Sequence, residues 1–311
     1  MRKFVGFLGY LLVAILVLGI VLFVTFFQPD RSINDMKRLY TNANSQFIPL
    51  MGMQVHYRDE GNNRDSVPLL LIHGTSSSLN TFDSVVLLLK NNRRVITLDL
   101  PAFGITGPNA TNEYGFAYYS TFLDSFLNTL NVQKCDIGGN SLGGGVSWEF
   151  TVAHPEKVRK LILIDATGYP IKNAKGSIGF KLASTPIINN LLLYITPKAL
   201  VRASLKGIYY DQNRVTDAQV DRYHDMAISK GNRAALLSTF KKGSKHDETL
   251  IATITKPTLI IWGEKDGLIP VENAYLFEKN IKGSKLVVLK NIGHVPMEEA
   301  PSKVADLIAS F

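Results

Sequence analysis

Gly139-Asn140-Ser141-Leu142-Gly143 sets a serine between two glycines, directly after the short apolar run Cys135 to Gly138 and directly before a stretch that reads as helix. Strand, tight turn and helix in that order are the arrangement a nucleophile elbow requires. A serine hydroxyl is a poor nucleophile in water, so a catalytic one must be held on a sharp turn beside a base and amide donors. Such a turn strains the backbone at Ser141 and brings the helix close to the strand, which residues without a Cβ allow at Gly139 and Gly143. The same pentapeptide also occurs by chance in flexible loops, so its weight depends on the residues further along the chain.

Two later segments supply that context. Thr258 to Trp262 reads as a buried strand and runs into Gly263-Glu264-Lys265-Asp266-Gly267, while the apolar run Leu286 to Leu289 leads through Lys290 to Gly293-His294. Asp266 and His294 therefore sit just past the carboxyl ends of strands, where ligands collect in open parallel sheets. Taken singly, Asp266 is a turn former and His294 a satisfied loop histidine. Behind an elbow they complete the chain order serine, acid, histidine.

Further spaced matches accompany these residues. His73-Gly74 follows Leu69 to Ile72, Asp99-Leu100-Pro101-Ala102-Phe103-Gly104 follows Val95 to Leu98, and Gly293-His294-Val295-Pro296-Met297-Glu298 closes the set. With them the chain resembles, over residues 47–311, the α/β-hydrolase superfamily, specifically its cap-bearing esterase and lipase-like branch. The resemblance implies Ser141 as nucleophile, His294 as general base and Asp266 as the residue that orients the histidine. Asp165, after the strand Lys160 to Ile164, is the runner-up acid, because the superfamily usually takes the acid from the later strand. An oxyanion hole is expected from the backbone amides of Leu142 and Thr75, with Ser76 as the alternative to Thr75. His73 reads as structural.

The expected fold class is α/β: a mainly parallel sheet with helices on both faces, a helical cap insertion and an N-terminal transmembrane helix. Six strand-like runs alternate with helical stretches from Leu69 onward, and Phe47 to Leu50 with Gln54 to Tyr57 form an edge hairpin. The core is expected over 47–170 and 247–311, with the cap, by resemblance, over 171–246. Phe4 to Phe27 is uncharged and overwhelmingly apolar for 24 residues. As a helix it would span roughly 36 Å, enough to cross a hydrocarbon core of about 30 Å with some tilt. It is too long for a signal peptide's apolar part and lacks a small-residue cleavage site, so residues 1–28 read as an uncleaved signal anchor. Arg2 and Lys3 favour a cytoplasmic amino terminus and a catalytic domain across the membrane, while Arg31, Lys37 and Arg38 weaken that bias. Residues 29–46 read as a polar tether with no site.

Charge is lopsided. Residues 171–246 hold 13 Lys or Arg against 4 Asp, a net of +9, whereas the whole chain is +8. The high isoelectric point thus belongs to the cap, where Ile187 to Ile195, Ala199 to Val201 and Ile208 to Tyr210 add apolar segments. That mixture suits either an anionic lipid surface or a solvated basic face packed on the core. No recognised nucleic-acid motif accompanies the charge. Cys135 is the only cysteine, which excludes an intrachain disulfide and reads as a buried thiol. The six histidines show no metal-ligand spacing and no phosphate loop occurs, so neither metal nor cofactor is expected. Asn109-Ala110-Thr111 fits a glycosylation acceptor.

Three functional classes are compatible with these features. The leading one is hydrolysis of apolar or lipid-like carboxylic esters through an acyl-enzyme on Ser141. A second is carbon–carbon bond hydrolysis of ring-cleavage products, a branch that favours Asn before the nucleophile, as Asn140 stands here. Thr75-Ser76-Ser77 and Val295 depart from that branch. Dehalogenases and epoxide hydrolases place Asp where Ser141 stands and are disfavoured. The third class is a non-catalytic hydrolase-like binding protein.

Overall fold

The computed structural model describes residues 2–62, 64–171, 177–185, 188–242 and 246–311. Lys172, Lys175 and Lys245 of the basic cap count, and Ile187 of its apolar run, lie outside them. From the amino terminus, α1 (Arg2–Phe26) and α2 (Ile33–Tyr40) lead into a hairpin of β1 (Ser45–Leu50) and β2 (Met53–Glu60). Strands and helices then alternate through β3 (Leu69–Ile72), α3 (Asp83–Leu89), β4 (Val95–Leu98), α4 (Phe116–Thr129), β5 (Cys135–Asn140), α5 (Leu142–Ala153) and β6 (Val158–Ile164). A helical insertion comes next: α6 (Ile178–Ser184), α7 (Ile188–Leu191), α8 (Lys198–Ile208), α9 (Asp217–Ala227) and α10 (Asn232–Lys242). The alternation resumes with β7 (Thr258–Gly263), α11 (Glu272–Asn280), β8 (Lys285–Leu289), α12 (Pro296–Glu299) and α13 (Pro301–Ala309).

The strands form one eight-stranded sheet in the order β1-β2-β4-β3-β5-β6-β7-β8. The β1–β2 hairpin pairs antiparallel with itself and with β4, and the remaining ladders are parallel. Central strands here are buried on both faces, so they read as continuous apolar runs rather than alternating ones. Leu70, Ile72, Ile137 and Trp262 pack with Phe122 of α4, Trp148 of α5 and Phe277 of α11. On the opposite face Leu69, Leu71, Ile162 and Ile261 pack with Val85 of α3 and Val304 of α13. Cys135 lies within the first cluster, and its burial, with a smaller contribution from Asp136, pushes the thiol up to about 12.

Residues 29–46 are not a free spacer. Ser32 caps α2 by accepting from the Asp35 amide, and Met36 on that helix is fully buried against Ile105 and Met226. Burying one such side chain contributes about 1.5–3 kcal/mol. Arg31 pairs with Asp225 of α9 at 2.8 Å, Tyr40 donates to the same carboxylate at 2.8 Å, and Asp30 pairs with Arg233 of α10 at 2.6 Å. Those partners are nearly two hundred residues away in sequence, which is why the segment looks like a plain polar linker when read locally. Asn109 is likewise engaged rather than free, since its side chain is buried and its amide donates to the Glu113 carbonyl.

Ser141 has φ 55° and ψ −118°, the strained elbow conformation. The helix behind it lies so close to β3 that a Cβ on Gly143 would stand 2.1 Å from the Ile72 carbonyl oxygen. That contact is with backbone and cannot be relieved by a rotamer change. Gly143→Ala is expected to cost about 3 kcal/mol through overpacking, read as a shift of the urea midpoint, and a midpoint within error of the parent would contradict the close approach described.

Candidate active site

The sheet brings Ser141, Asp266 and His294 together from β5, β7 and β8. Asp266 Oδ2 lies 2.7 Å from His294 Nδ1, and its other oxygen accepts the amides of Leu268 at 2.7 Å and Ile269 at 3.0 Å. With three of its roughly four accepting directions so used, the carboxylate is held in one orientation and fixes that of the ring. Ser141 and His294 line the same cavity. Among the described residues no hydrogen bond joins Ser141 Oγ to the imidazole, a bond that in resting hydrolases is often long and tightens with substrate.

Asp165, the alternative acid, lies beneath the pair. Its Oδ1 accepts the Gly263 amide at 2.9 Å, while Oδ2 is buried with no partner as a carboxylate among the described residues. Full burial, and next the charge of Asp266, push its pKa well above the usual carboxylate range. A proton on Asp165 resolves both problems at once, because the neutral acid can donate from Oδ2 to Asp266. Burial and the neighbouring carboxylate thus favour the neutral acid at Asp165, which suits a support for Asp266 better than a second anion facing the histidine.

Thr75 and Leu142 flank the nucleophile. Leu142 is the first residue of α5, where an amide has no acceptor four residues back. Neither its N–H nor that of Thr75 donates a hydrogen bond to another described residue. Thr75 also lines the wall of the cavity, and Ser76 beside it holds φ 60°. His73 shapes this loop from below. It is fully buried, which lowers its pKa, and its neutral ring receives the Leu100 amide at Nε2, 3.0 Å away, leaving Nδ1–H to donate to the Gly74 carbonyl at 2.8 Å.

Local reading of the sequence missed several supporting residues. Asn140 donates from Nδ2 to the His294 carbonyl at 2.9 Å and to the Ile164 carbonyl at 3.2 Å, so the residue before the nucleophile holds the histidine loop. The cap grips the same loop: the His294 amide donates to Ile208 of α8 at 2.8 Å. Glu299 accepts the amides of Gly293 at 2.7 Å and Tyr210 at 3.0 Å, and burial raises its pKa. Glu298 accepts from Thr81 at 2.6 Å, Tyr209 at 2.6 Å, Tyr223 at 2.7 Å and Arg222 at 3.0 Å. The only sequence signal for these roles is position, two glutamates a few residues past a candidate histidine. Arg222 thus answers part of the cap's basic excess internally, as Arg233 does with Asp30. Lys198–Asp221 and Arg202–Asp217 are further cap pairs, exposed ones of small energetic weight.

The cavity of about 150 Å³ lies between sheet and cap, with Leu192, Leu200, Val201 and Leu205 among its walls. Asp165, Asp266 and His294 also bring ligand atoms within 4.8 Å of one another. In that trio Asp266 already accepts from His294, Leu268 and Ile269.

Comparison with known proteins meets this geometry from outside. A family model described as the alpha/beta hydrolase fold matches residues 67–185. The chain is 26% identical over 273 residues to Lipase 1 of Psychrobacter immobilis, covering 84% of this chain and 81% of that protein. It is also 26% identical over 270 residues to a 2-hydroxymuconate semialdehyde hydrolase of Pseudomonas sp. (strain CF600), covering 84% and 90%. Among solved structures, a membrane phospholipase A superposes with a TM-score of 0.75 at 23% identity, covering 100% of this chain and 97% of that one. The family model, and matches over most of the chain to proteins named as a lipase and as a semialdehyde hydrolase, place this chain in the α/β-hydrolase superfamily.

Proposed function

We propose that this protein is a membrane-anchored serine hydrolase that cleaves carboxylic esters of apolar, lipid-like character through an acyl-enzyme on Ser141. The observation that carries the reading is that Ser141 and the Asp266-bound His294 open on one cavity whose remaining walls are mostly apolar. Ser141 Oγ bonds to the carbonyl carbon as its proton passes to His294 Nε2, and Asp266 stabilises the imidazolium that forms. The displaced carbonyl electron pair settles on oxygen, facing the amides of Leu142 and Thr75, where one such donor is typically worth about 2.7–4 kcal/mol of barrier. Breaking the bond to the alcohol releases it with the proton from His294. Water, deprotonated by the same imidazole, then attacks the acyl-enzyme, frees the acid and restores Ser141.

The anchor in this reading is α1, whose segment Gly9–Phe26 is long and apolar enough to cross a membrane and is exposed throughout. In this reading Arg2 and Lys3 favour a short side in the cytoplasm and a hydrolase domain beyond the membrane, with Arg31, Lys37 and Arg38 weighing against that bias. Where the helix exits, Tyr194 of the cap faces the rings of Phe23 and Phe27 at 6.1 and 6.4 Å, and Ile188 and Leu191 are exposed nearby in sequence. Apolar surface amid basic residues suits contact with anionic lipid. Similarity to Lipase 1 and to the membrane phospholipase A fold supports a lipid ester as substrate. A second reading, carbon–carbon bond hydrolysis, has Asn140 and the semialdehyde hydrolase relative in its favour, with Thr75-Ser76-Ser77 and Val295 against it.

On p-nitrophenyl esters of increasing acyl length, the full-length protein is expected to turn over medium or long chains and Ser141→Ala to lose at least 10³-fold. Activity that survives the substitution ends the proposal, and activity on ring-cleavage products but on no ester supports the second reading. A fluorophosphonate probe is expected to label the parent and not Ser141→Ala; no labelling of either would favour a binding protein. The two aspartates separate cleanly. Asp266→Asn should lower kcat by about 10³–10⁴-fold, whereas Asp165→Asn, which copies a neutral acid that donates to Asp266, should stay within about threefold. The reverse ranking in steady-state kinetics would make Asp165 the triad acid. Alkaline carbonate washing should leave the chain in the membrane pellet, and its release into the supernatant would remove the anchor from the proposal.

A further inference from the structure

Arg233, in the first turn of α10, is 7% exposed and lines the cavity that Ser141 and His294 share. Its outer edge is committed: Nε and Nη2 donate to Asp30 Oδ1 at 3.1 and 2.6 Å, and Nη2 also donates to the Gln28 carbonyl at 2.8 Å. The third nitrogen, Nη1, is buried and has no hydrogen-bond partner among the described residues. A guanidinium cannot escape such a position by losing its proton. Leaving a charged donor buried and unpaired is costlier than leaving a neutral one so. Asp30 offsets the charge only in part, since its side chain is 36% exposed and shares its field with solvent.

Most of the wall's exposed surface has the opposite character, although hydroxyls such as those of Ser177, Thr196 and Ser204 also line it. Phe180, Leu192, Leu200 and Val201 line the same space. One unspent guanidinium nitrogen, on a side chain that lines a largely apolar cavity in a cap with surplus positive charge, is complementary to an amphiphile with an oxyanion on an alkyl body. We propose that Arg233 Nη1 is the recognition point for such an oxyanion, a carboxylate or a phosphate carried by the ligand away from its scissile ester. This deepens the ester-hydrolase reading and rests on it: the preferred substrates carry a negative group as well as an apolar chain. The same guanidinium holds Gln28 and Asp30, the residues just past the anchor helix, so the anion site sits where the chain leaves α1.

The test measures binding, not turnover, on full-length Ser141→Ala in neutral detergent micelles, using decanoate, decyl phosphate and decanol by isothermal titration calorimetry. At least one anion is expected to bind about tenfold tighter than decanol, the scale of a charge-assisted hydrogen bond. Preference for decyl phosphate alone identifies a lipid phosphate, and preference for decanoate alone a carboxylate. Adding Arg233→Gln should abolish the anion-to-decanol ratio, and Arg233→Lys should restore part of it. Asp30→Asn, which breaks the same ion pair but leaves the guanidinium, should keep or enlarge the ratio. An unchanged ratio in Arg233→Gln overturns the proposal, and so does its loss in Asp30→Asn, which would assign the effect to the strap. Because the inactive variant is used, this outcome is separable from the ester series: binding can fail while ester hydrolysis stands, and the reverse.

Discussion

The approach of the β5–α5 turn to β3 is the constraint on which the site depends. Ile72 and His73 present their carbonyl oxygens where a side chain on Gly143 would need to be, at 2.1 and 2.6 Å from its Cβ. Only a helix packed this closely lets Ser141 stand at the edge of the sheet with its following amide unspent. Interiors are packed to crystal-like density, so the contact also sets the height of the loops after β3, β7 and β8 relative to the hydroxyl. Three residues separated by up to 153 positions meet because parallel strands all end at one edge.

Cap and histidine form one mechanical unit. Glu298 and Glu299 are consecutive and buried, and burial of a carboxylate is costly unless donors surround it. Here they do, from Thr81 in the core and Tyr209, Tyr210, Arg222 and Tyr223 in the cap. Charge-assisted hydrogen bonds contribute about 1.5–3 kcal/mol each in favourable cases, so the pair ties the insertion to the segment that carries His294. With the His294 amide also bonded to Ile208, displacement of α8 would displace the His294 loop.

The anchor connects to that unit at a second place. Gln28 bonds through its amide to Tyr194, Asp30 to Arg233 and Arg31 to Asp225, so the chain leaving α1 runs along the cap before it enters the sheet. A membrane helix joined through a flexible tether would leave the cap free to face any direction. Here the chain leaving α1 is strapped to α9 and α10 by ion pairs and by burial of Met36, which fixes the end of that helix against the cap.

Much of the fold was legible in the sequence because its signals are local and periodic. Continuous apolar runs mark buried parallel strands, Gly139 and Gly143 mark a close turn, and the order Ser141, Asp266, His294 places three reactive side chains at strand ends. The apolar run Phe4 to Phe27 marks, in the same way, a helix long and apolar enough to cross a membrane. The linear chain does not carry the identity of the distant groups that meet: Asp165 beside Asp266, Asn140 on the histidine carbonyl, Glu298 and Glu299 under the cap, and Arg233 shared between the chain leaving α1 and the cavity. Those pairings depend on side chains brought within about 3 Å by packing, and residues 29–46 looked like a spacer for that reason alone. Local composition determined the elements and the reactive groups; only tertiary contact decided which charges are neutralised, which donor is left unpaired, and where the cap sits.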